Sequence, residues 1–296
     1  SFDLSEYDLV ISSSSATHLA KSIITKPETL HISYIHTPPR FLYGYVTSFN
    51  YKKHWWTKVG GEIINHFMRI YDFEVSQRPD ILVANSENVA KRIRKFYRRE
   101  SVVIYPPVEI SSKYQVVSSK GKKDYFLVLS RLVRGKGVDV VVEACGKLGL
   151  PLKIAGSGPE LQNLKSLIIN QKSNIEFLGW VSDEERVELL ANAKALIVAS
   201  EDEDFGITSI EAQAVGTPVI APASGGFLET VINGETGFLY GGSGMVTVDS
   251  LVEALQRFST KDWGPEDCRK NAEKFGKDRF KKEILELVEK NLSKKI

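Results

Sequence analysis

Short β-rich runs alternate with amphipathic stretches of helical period along nearly the whole chain. That rhythm constrains the fold more than any other feature, because strands separated by helix-length segments pair in parallel, with the helices covering the sheet. In the first half the predicted strands are Tyr7–Ser12, Leu30–His36, Ile81–Asn85 and Val102–Tyr105, and the predicted helices are Trp55–Ser76 and Glu87–Arg98. Pro106-Pro107 stops the pattern, and a polar stretch to Lys123 reads as a linker.

The second half resumes with strand Tyr125–Ser130 and a helix from about Val138. Strands Leu152–Ala155, Ile175–Leu178, Ala195–Ala199 and Pro218–Ala221 then alternate with helices Glu160–Ile169, Asp183–Ala193 and Ile207–Val215. Helices Asp249–Phe258, Pro265–Phe275 and Asp278–Asn291 close the chain. The expected fold class is α/β, with two Rossmann-like doubly wound domains. The expected limits are 1–107 for the N-terminal domain, 108–123 for the linker, 124–280 for the second domain and 281–296 for a C-terminal helix. The first domain shows only four strands and no glycine-rich strand–turn–helix; Gly60-Gly61 lies inside an amphipathic run. Either this domain is reduced, or the chain begins partway through it.

A length of 296 residues suits two domains with separate cores. The net charge of +2 carries no global nucleic-acid signal, so any basic function is local. Cys145 and Cys268 lack metal-type spacing, and Cys145 reads as a small core residue, with a disulfide the lesser alternative. No run reaches the ~18 apolar residues of a membrane span, and no signal peptide opens the chain. A cytoplasmic protein is the expectation.

The chemistry-bearing residues gather after the strands of the second domain. Arg131 and Lys136 lie in the loop after the first of them, where ligands bind in open α/β sheets; a guanidinium fork and a mobile ammonium suit a diphosphate. A solvated basic loop is the plain alternative. Gly156 and Gly158 follow the next strand in a turn that lets a nucleotide approach the backbone, although such turns are common. Gly179, Trp180 and Val181 follow a third and could line a base pocket through their main chain, with simple packing equally open for Trp180.

Glu203 and Glu211, eight apart, bracket Phe205-Gly206-Ile207 at a predicted helix start. Such a start bares backbone N–H groups toward an anion, and Glu211, one turn inside, leans to the same side. Together they suit a phosphate and a neighbouring ribose. Asp202 and Asp204 form an acidic pair with no third metal ligand evident.

In the first half His36 ends a strand before the rigid Thr37-Pro38-Pro39-Arg40, which favours a substrate contact in the interdomain cleft. Aromatics from Phe41 to Trp56 interleave with Lys52 and Lys53, suiting a membrane–water interface or a buried helix pair. The basic run Lys91–Arg99 is either an exposed helix face or an attractor of anionic headgroups or a pyrophosphate-bearing acceptor.

Arg131…Lys136-Gly137, Gly156-x-Gly158-Pro159 and Glu203-x7-Glu211 with Gly216-Thr217-Pro218-Val219 together resemble glycosyltransferase family 4, retaining enzymes of GT-B architecture. Residues 125–245 carry that resemblance. His36–Arg40, Ser76-Gln77-Arg78-Pro79-Asp80, Ala84-Asn85-Ser86 and Ile104–Val108 are similar to the mannosyltransferases of O-antigen and exopolysaccharide assembly.

The resemblance implies a sugar nucleotide, GDP-mannose in that subgroup, and a saccharide or lipid-linked acceptor. It implies no cofactor or metal and no nucleic acid, with contact at the cytoplasmic membrane face as an option. Arg131 and Lys136 would hold the diphosphate and Glu211 the ribose. Glu203 and the 205–207 backbone would meet the sugar and phosphate, with His36 near the transferred sugar. The family's glycine-rich N-terminal loop has no counterpart in this chain. A non-catalytic sugar-nucleotide-binding module and a sugar-nucleotide epimerase are the competing readings.

Overall fold

The computed structural model describes residue 4 and residues 6–15, 21–47, 55–109, 124–168, 174–242 and 246–293, with only the backbone for 55–58. The chain divides into two compact units: residues 1–106 with 278–296, and residues 107–277. The limits expected at 107 and 280 fall at 106 and 277 in this division, and the last helix groups with the first unit. Both units are built on parallel sheets.

The first unit holds β1 (Leu9–Ser15), β2 (Leu30–Thr37), β3 (Ile81–Ala84) and β4 (Val102–Val103), all parallel and in sequence order. Alternate strand residues serve opposite faces. On one face Ile35, Leu82 and Ala84 pack with Val89, Ile93 and Tyr97 of α2 (Glu87–Tyr97), a helix capped by Ser86 Oγ accepting from Val89 N. On the other, Leu30, Ile32, Tyr34 and Val83 meet Phe280, Ile284, Leu287 and Val288 of α10 (Lys277–Leu292), which arrives from the far end of the sequence.

Helix α1 (Trp55–Ser76) is inverted: Asn65, Asp72 and Ser76 are buried, whereas Ile63, Ile64, Phe67 and Ile70 are exposed. The buried polar face is satisfied. Asp72 pairs with Lys21 at 2.5 Å and accepts from Tyr43 Oη at 2.8 Å, and Lys21 donates to Tyr97 Oη at 2.6 Å.

In the second unit the six-stranded sheet has the order β10-β9-β8-β5-β6-β7. Its strands are β5 (Phe126–Leu129), β6 (Leu152–Ala155), β7 (Ile175–Gly179), β8 (Ala195–Ile197), β9 (Val219–Pro222) and β10 (Gly237–Tyr240). Phe126 and Val128 face a core shared with α3 (Val138–Leu148), α4 (Leu161–Ile168) and α8 (Val248–Phe258). Tyr125, Leu127 and Leu129 face the opposite core with α5 (Asp183–Asn192), α6 (Ile207–Ala214) and α7 (Phe227–Thr230). Helix α9 (Pro265–Glu273) packs on α6, where Asn271 Nδ2 donates to Gln213 Oε1 at 2.7 Å. The chain order reverses between β5 and β8, a topological switch point whose crevice opens at the strands' carboxyl ends.

Strand β10 and the short α7 are additions to the sequence reading, and β1 runs three residues beyond its predicted end. Cys145 and Cys268 are both buried free thiols, and burial pushes the Cys145 thiol up to about 12. Most of the expected linker lies outside the described residues. Its first residues are tied down: Val108 bridges to Gly276, and Glu109 pairs with Lys277.

Candidate active site

The crevice at the switch point is lined by Leu129 at the end of β5 and Ser130 after it, by Val198, Ala199 and Ser200 after β8, and by Lys136, Glu203 and Thr208. Lys136 closes the loop that enters α3, and Gly137 sits at the N-cap of that helix with φ 63°. A Cβ on Gly137 would meet Ala199 O at 2.2 Å, so only glycine lets this loop lie against the β8 loop. That approach brings together side chains 67 residues apart. Lys136 Nζ donates to Glu203 Oε2 at 2.9 Å, and Ser200 Oγ donates to the same oxygen at 2.7 Å.

Glu203 lies on the turn into α6, which Gly206 caps with φ 89° and without a side-chain cap. The first-turn N–H groups of such a helix have no intrahelical acceptors, and Ile207 and Thr208 occupy that turn. Phe205 is buried, with its ring edge-on to Phe275 at 5.5 Å, so only its backbone can face a ligand. Gly225 and Gly226 support the turn from behind. Gly226 N donates to Glu203 O at 2.9 Å, and a Cβ on Gly226 would meet Phe205 Cα at 2.4 Å.

Glu211, one turn inside α6, is three-quarters or more shielded at its side chain and accepts from Arg186 Nη1 at 2.8 Å. Burial raises its carboxyl above the usual carboxylate range, and Arg186 opposes that shift. Arg186 and Ser200 were not singled out from sequence. Neither carries a local signal, because each acquires its role only through contact with a glutamate on another segment.

The remaining predicted residues distribute as follows. Arg131 is exposed directly after β5. Gly156 and Gly158 follow β6, where Cβ atoms would meet Ser130 O and Leu132 O at 1.8 and 2.2 Å. The neighbouring loop thus already demands these glycines. Gly179 ends β7, its carbonyl accepting from Gly156 N at 2.7 Å, and Val181 is half-buried. Trp180 is 79% exposed, which removes the packing alternative for its ring. All of these lie at the carboxyl edge of one sheet.

His36 belongs to the other unit. It is half-buried in β2, with Nε2 3.0 Å from Ser13 Oγ and its ring edge-on to Tyr34. Within the basic run, Arg92 is buried and stacks over Tyr45, and Arg94 is bidentate to Glu100. Arg99 donates to the carbonyls of Ser76, Pro79 and Asp80. Much of that run is therefore structural. Tyr43 stacks on Phe96 at 4.0 Å, whereas Phe49 and Tyr51 lie outside the described residues. Among the described residues, no three His, Cys, Asp or Glu side chains form a metal-holding group.

A profile of the family described as "Glycosyl transferases group 1" matches residues 110–275. The chain belongs to this family. Human alpha-1,3/1,6-mannosyltransferase ALG2 is 27% identical over 247 residues, covering 72% of this chain and 59% of the human protein. The GDP-mannose-dependent alpha-(1-6)-phosphatidylinositol monomannoside mannosyltransferase of Mycobacterium tuberculosis is 33% identical over 161 residues, covering 50% of this chain and 40% of its own length. The chain thus spans less than two thirds of the length of each of these curated relatives. Sucrose-phosphate synthase from Thermosynechococcus elongatus superposes with a TM-score of 0.76 at 18% identity, over 97% of this chain and 74% of that one. The fold of this group 1 glycosyl transferase is GT-B.

Proposed function

We propose that the chain transfers a hexose, mannose from GDP-mannose, to a saccharide or lipid-linked acceptor with retention of configuration. The observation that carries this reading is the meeting of Lys136 and Glu203, 2.9 Å apart, in the switch-point crevice that Thr208 of the first turn of α6 also lines. A cation and bare helix N–H groups answer a diphosphate, and a carboxylate beside them answers sugar hydroxyls. The printed names of the human and mycobacterial relatives support mannose as the sugar, and the latter supports GDP as its carrier.

In this reaction the bond from the sugar's anomeric carbon to the diphosphate oxygen breaks, and negative charge grows on the phosphate. Arg131, Lys136 and the tip of α6 oppose that charge; preorganised donors of this kind contribute roughly 3–4 kcal/mol each. The acceptor hydroxyl attacks from the face the diphosphate leaves, and its proton passes to a leaving phosphate oxygen. His36 is assigned to the transferred sugar, Glu211 to the ribose, and the Gly156, Gly158 and Gly179–Val181 turns to the nucleotide.

No metal ion is needed on this account, since protein cations supply the counter-charge, and a chelator leaves transfer unchanged. The outward apolar face of α1 supports peripheral contact with a membrane surface; co-sedimentation with anionic vesicles tests it. Incubation with GDP-mannose and a saccharide acceptor, followed by NMR of the product's anomeric centre, tests the reaction. An α-linked product supports it. GDP binding without turnover favours a donor-binding module, and an inverted C2 centre favours an epimerase.

A further inference from the structure

We propose that Arg186 is a positioning residue for nucleotide recognition: it aims the Glu211 carboxylate at the two ribose hydroxyls. The inference rests on the donor-site reading above.

Arg186 is placed by the start of α5. Ser182 caps that helix with a capping box, its Oγ accepting from Glu185 N at 3.2 Å while Glu185 Oε2 accepts from Ser182 N at 2.8 Å. This fixes the first turn, and Arg186 follows in the next position. Its guanidinium then joins two helices, Nη1 to Glu211 Oε1 on α6 at 2.8 Å and Nη2 to Asp183 Oδ1 on α5 at 3.3 Å. These two contacts orient the guanidinium, and Nη1 holds the Oε1 end of the Glu211 carboxylate. The third nitrogen, Nε, is buried without an acceptor among the described residues. A native fold tolerates such an orphan donor where function demands the geometry.

The chemistry explains what the arrangement supplies. A ribose presents two adjacent hydroxyl donors, and an ionised carboxylate accepts from both. A protonated carboxyl has one oxygen that donates. Burial of Glu211 favours the protonated form, and the charges acting on it both come from α5: Arg186 opposes protonation and Asp183 promotes it. The other elements packed on α6 are α7, α9 and β9. Glu229 of α7 and the charged side chains of α9 do not figure among the charges acting on Glu211, and β9 carries none. Arg186 is therefore the cation that favours the accepting state of Glu211 against its burial.

The test compares GDP with 2′,3′-dideoxy-GDP by calorimetry between mildly acidic and neutral pH, in wild type, Arg186→Leu, Arg186→Lys and Glu211→Gln, with thermal melts to confirm folding. Wild type is expected to prefer GDP by about tenfold, the scale of hydrogen bonds to a charged acceptor. In Arg186→Leu the preference collapses, and the acid-side loss of GDP affinity moves to higher pH. Arg186→Lys keeps the charge and restores most of the preference, an outcome a merely structural role would not produce. Should Arg186→Leu retain the preference and the acid limb while Glu211→Gln loses the preference, the inference fails and the donor site stands. Should wild type show no preference and Glu211→Gln no change, the ribose assignment of Glu211 fails and takes this inference with it.

Discussion

Lys136 and Glu203 hold each other in the same crevice that is assigned to the diphosphate. With side chains 29% and 19% exposed, the pair is partly screened and worth about 0.5–1 kcal/mol. An incoming diphosphate competes with the Glu203 carboxylate for the ammonium. Glu203→Gln, which keeps the shape and removes the charge, is therefore expected to tighten GDP binding by about 2- to 5-fold while reducing sugar transfer. Calorimetry and a turnover assay on one preparation check both halves, and weaker GDP binding in the variant contradicts the competition.

Glu211 carries a second residue-scale prediction. Its folded carboxyl titrates above the unfolded value because burial outweighs Arg186. A raised value adds stability fully at acidic pH, below the unfolded pKa, and that share is lost as pH rises through the folded pKa. The stability of wild type minus that of Glu211→Gln should accordingly fall as pH rises from the ordinary carboxylate range toward neutrality. Urea melts across that range measure it; a difference that grows with pH contradicts the assigned direction.

At the scale of elements, the turn into α6 depends on the Gly225-Gly226 segment behind it. A Cβ on Gly226 would lie 2.4 Å from Phe205 Cα, a backbone atom that cannot swing aside. Gly226→Ala is expected to cost about 1–3 kcal/mol and to weaken GDP binding, because relief of the clash displaces the first turn of α6. Denaturant midpoints and GDP titration of the variant check this together, and an unchanged affinity would uncouple the turn from the site.

Most elements were legible as alternation of period, and the acidic, basic and glycine positions were legible because strand ends announce themselves. Strand β10 escaped because Phe238-Leu239-Tyr240 between glycines is too short to show a period. The inverted face of α1 could not be assigned, since its apolar residues recur at helical spacing on the outside. Arg186 and Ser200 were invisible for a different reason: their partners come from other segments, and only tertiary packing brings them together.

For the whole molecule, the sheet of the first unit is completed by a helix from the opposite end of the sequence. Phe280, Ile284, Leu287 and Val288 of α10 cover Leu30, Ile32 and Tyr34, and Arg279 Nη2 donates to Tyr105 O at 2.8 Å. The switch-point crevice proposed to take GDP, by contrast, is lined wholly by residues within 107–277. The double variant Ile284→Ala, Leu287→Ala should destabilise the first unit by about 1–3 kcal/mol and leave GDP affinity within a factor of about two. Limited proteolysis mapped by mass spectrometry shows where the chain loosens, and cleavage confined to 107–277 contradicts the assignment.

The central claim is that Lys136 and the tip of α6 grip a nucleoside diphosphate at the switch point of the second sheet. Calorimetric titration of GDP into wild type and Lys136→Ala tests it most directly. Loss of one charge-assisted contact predicts binding about 10- to 100-fold weaker in the variant. Equal affinities in the two proteins would contradict the account.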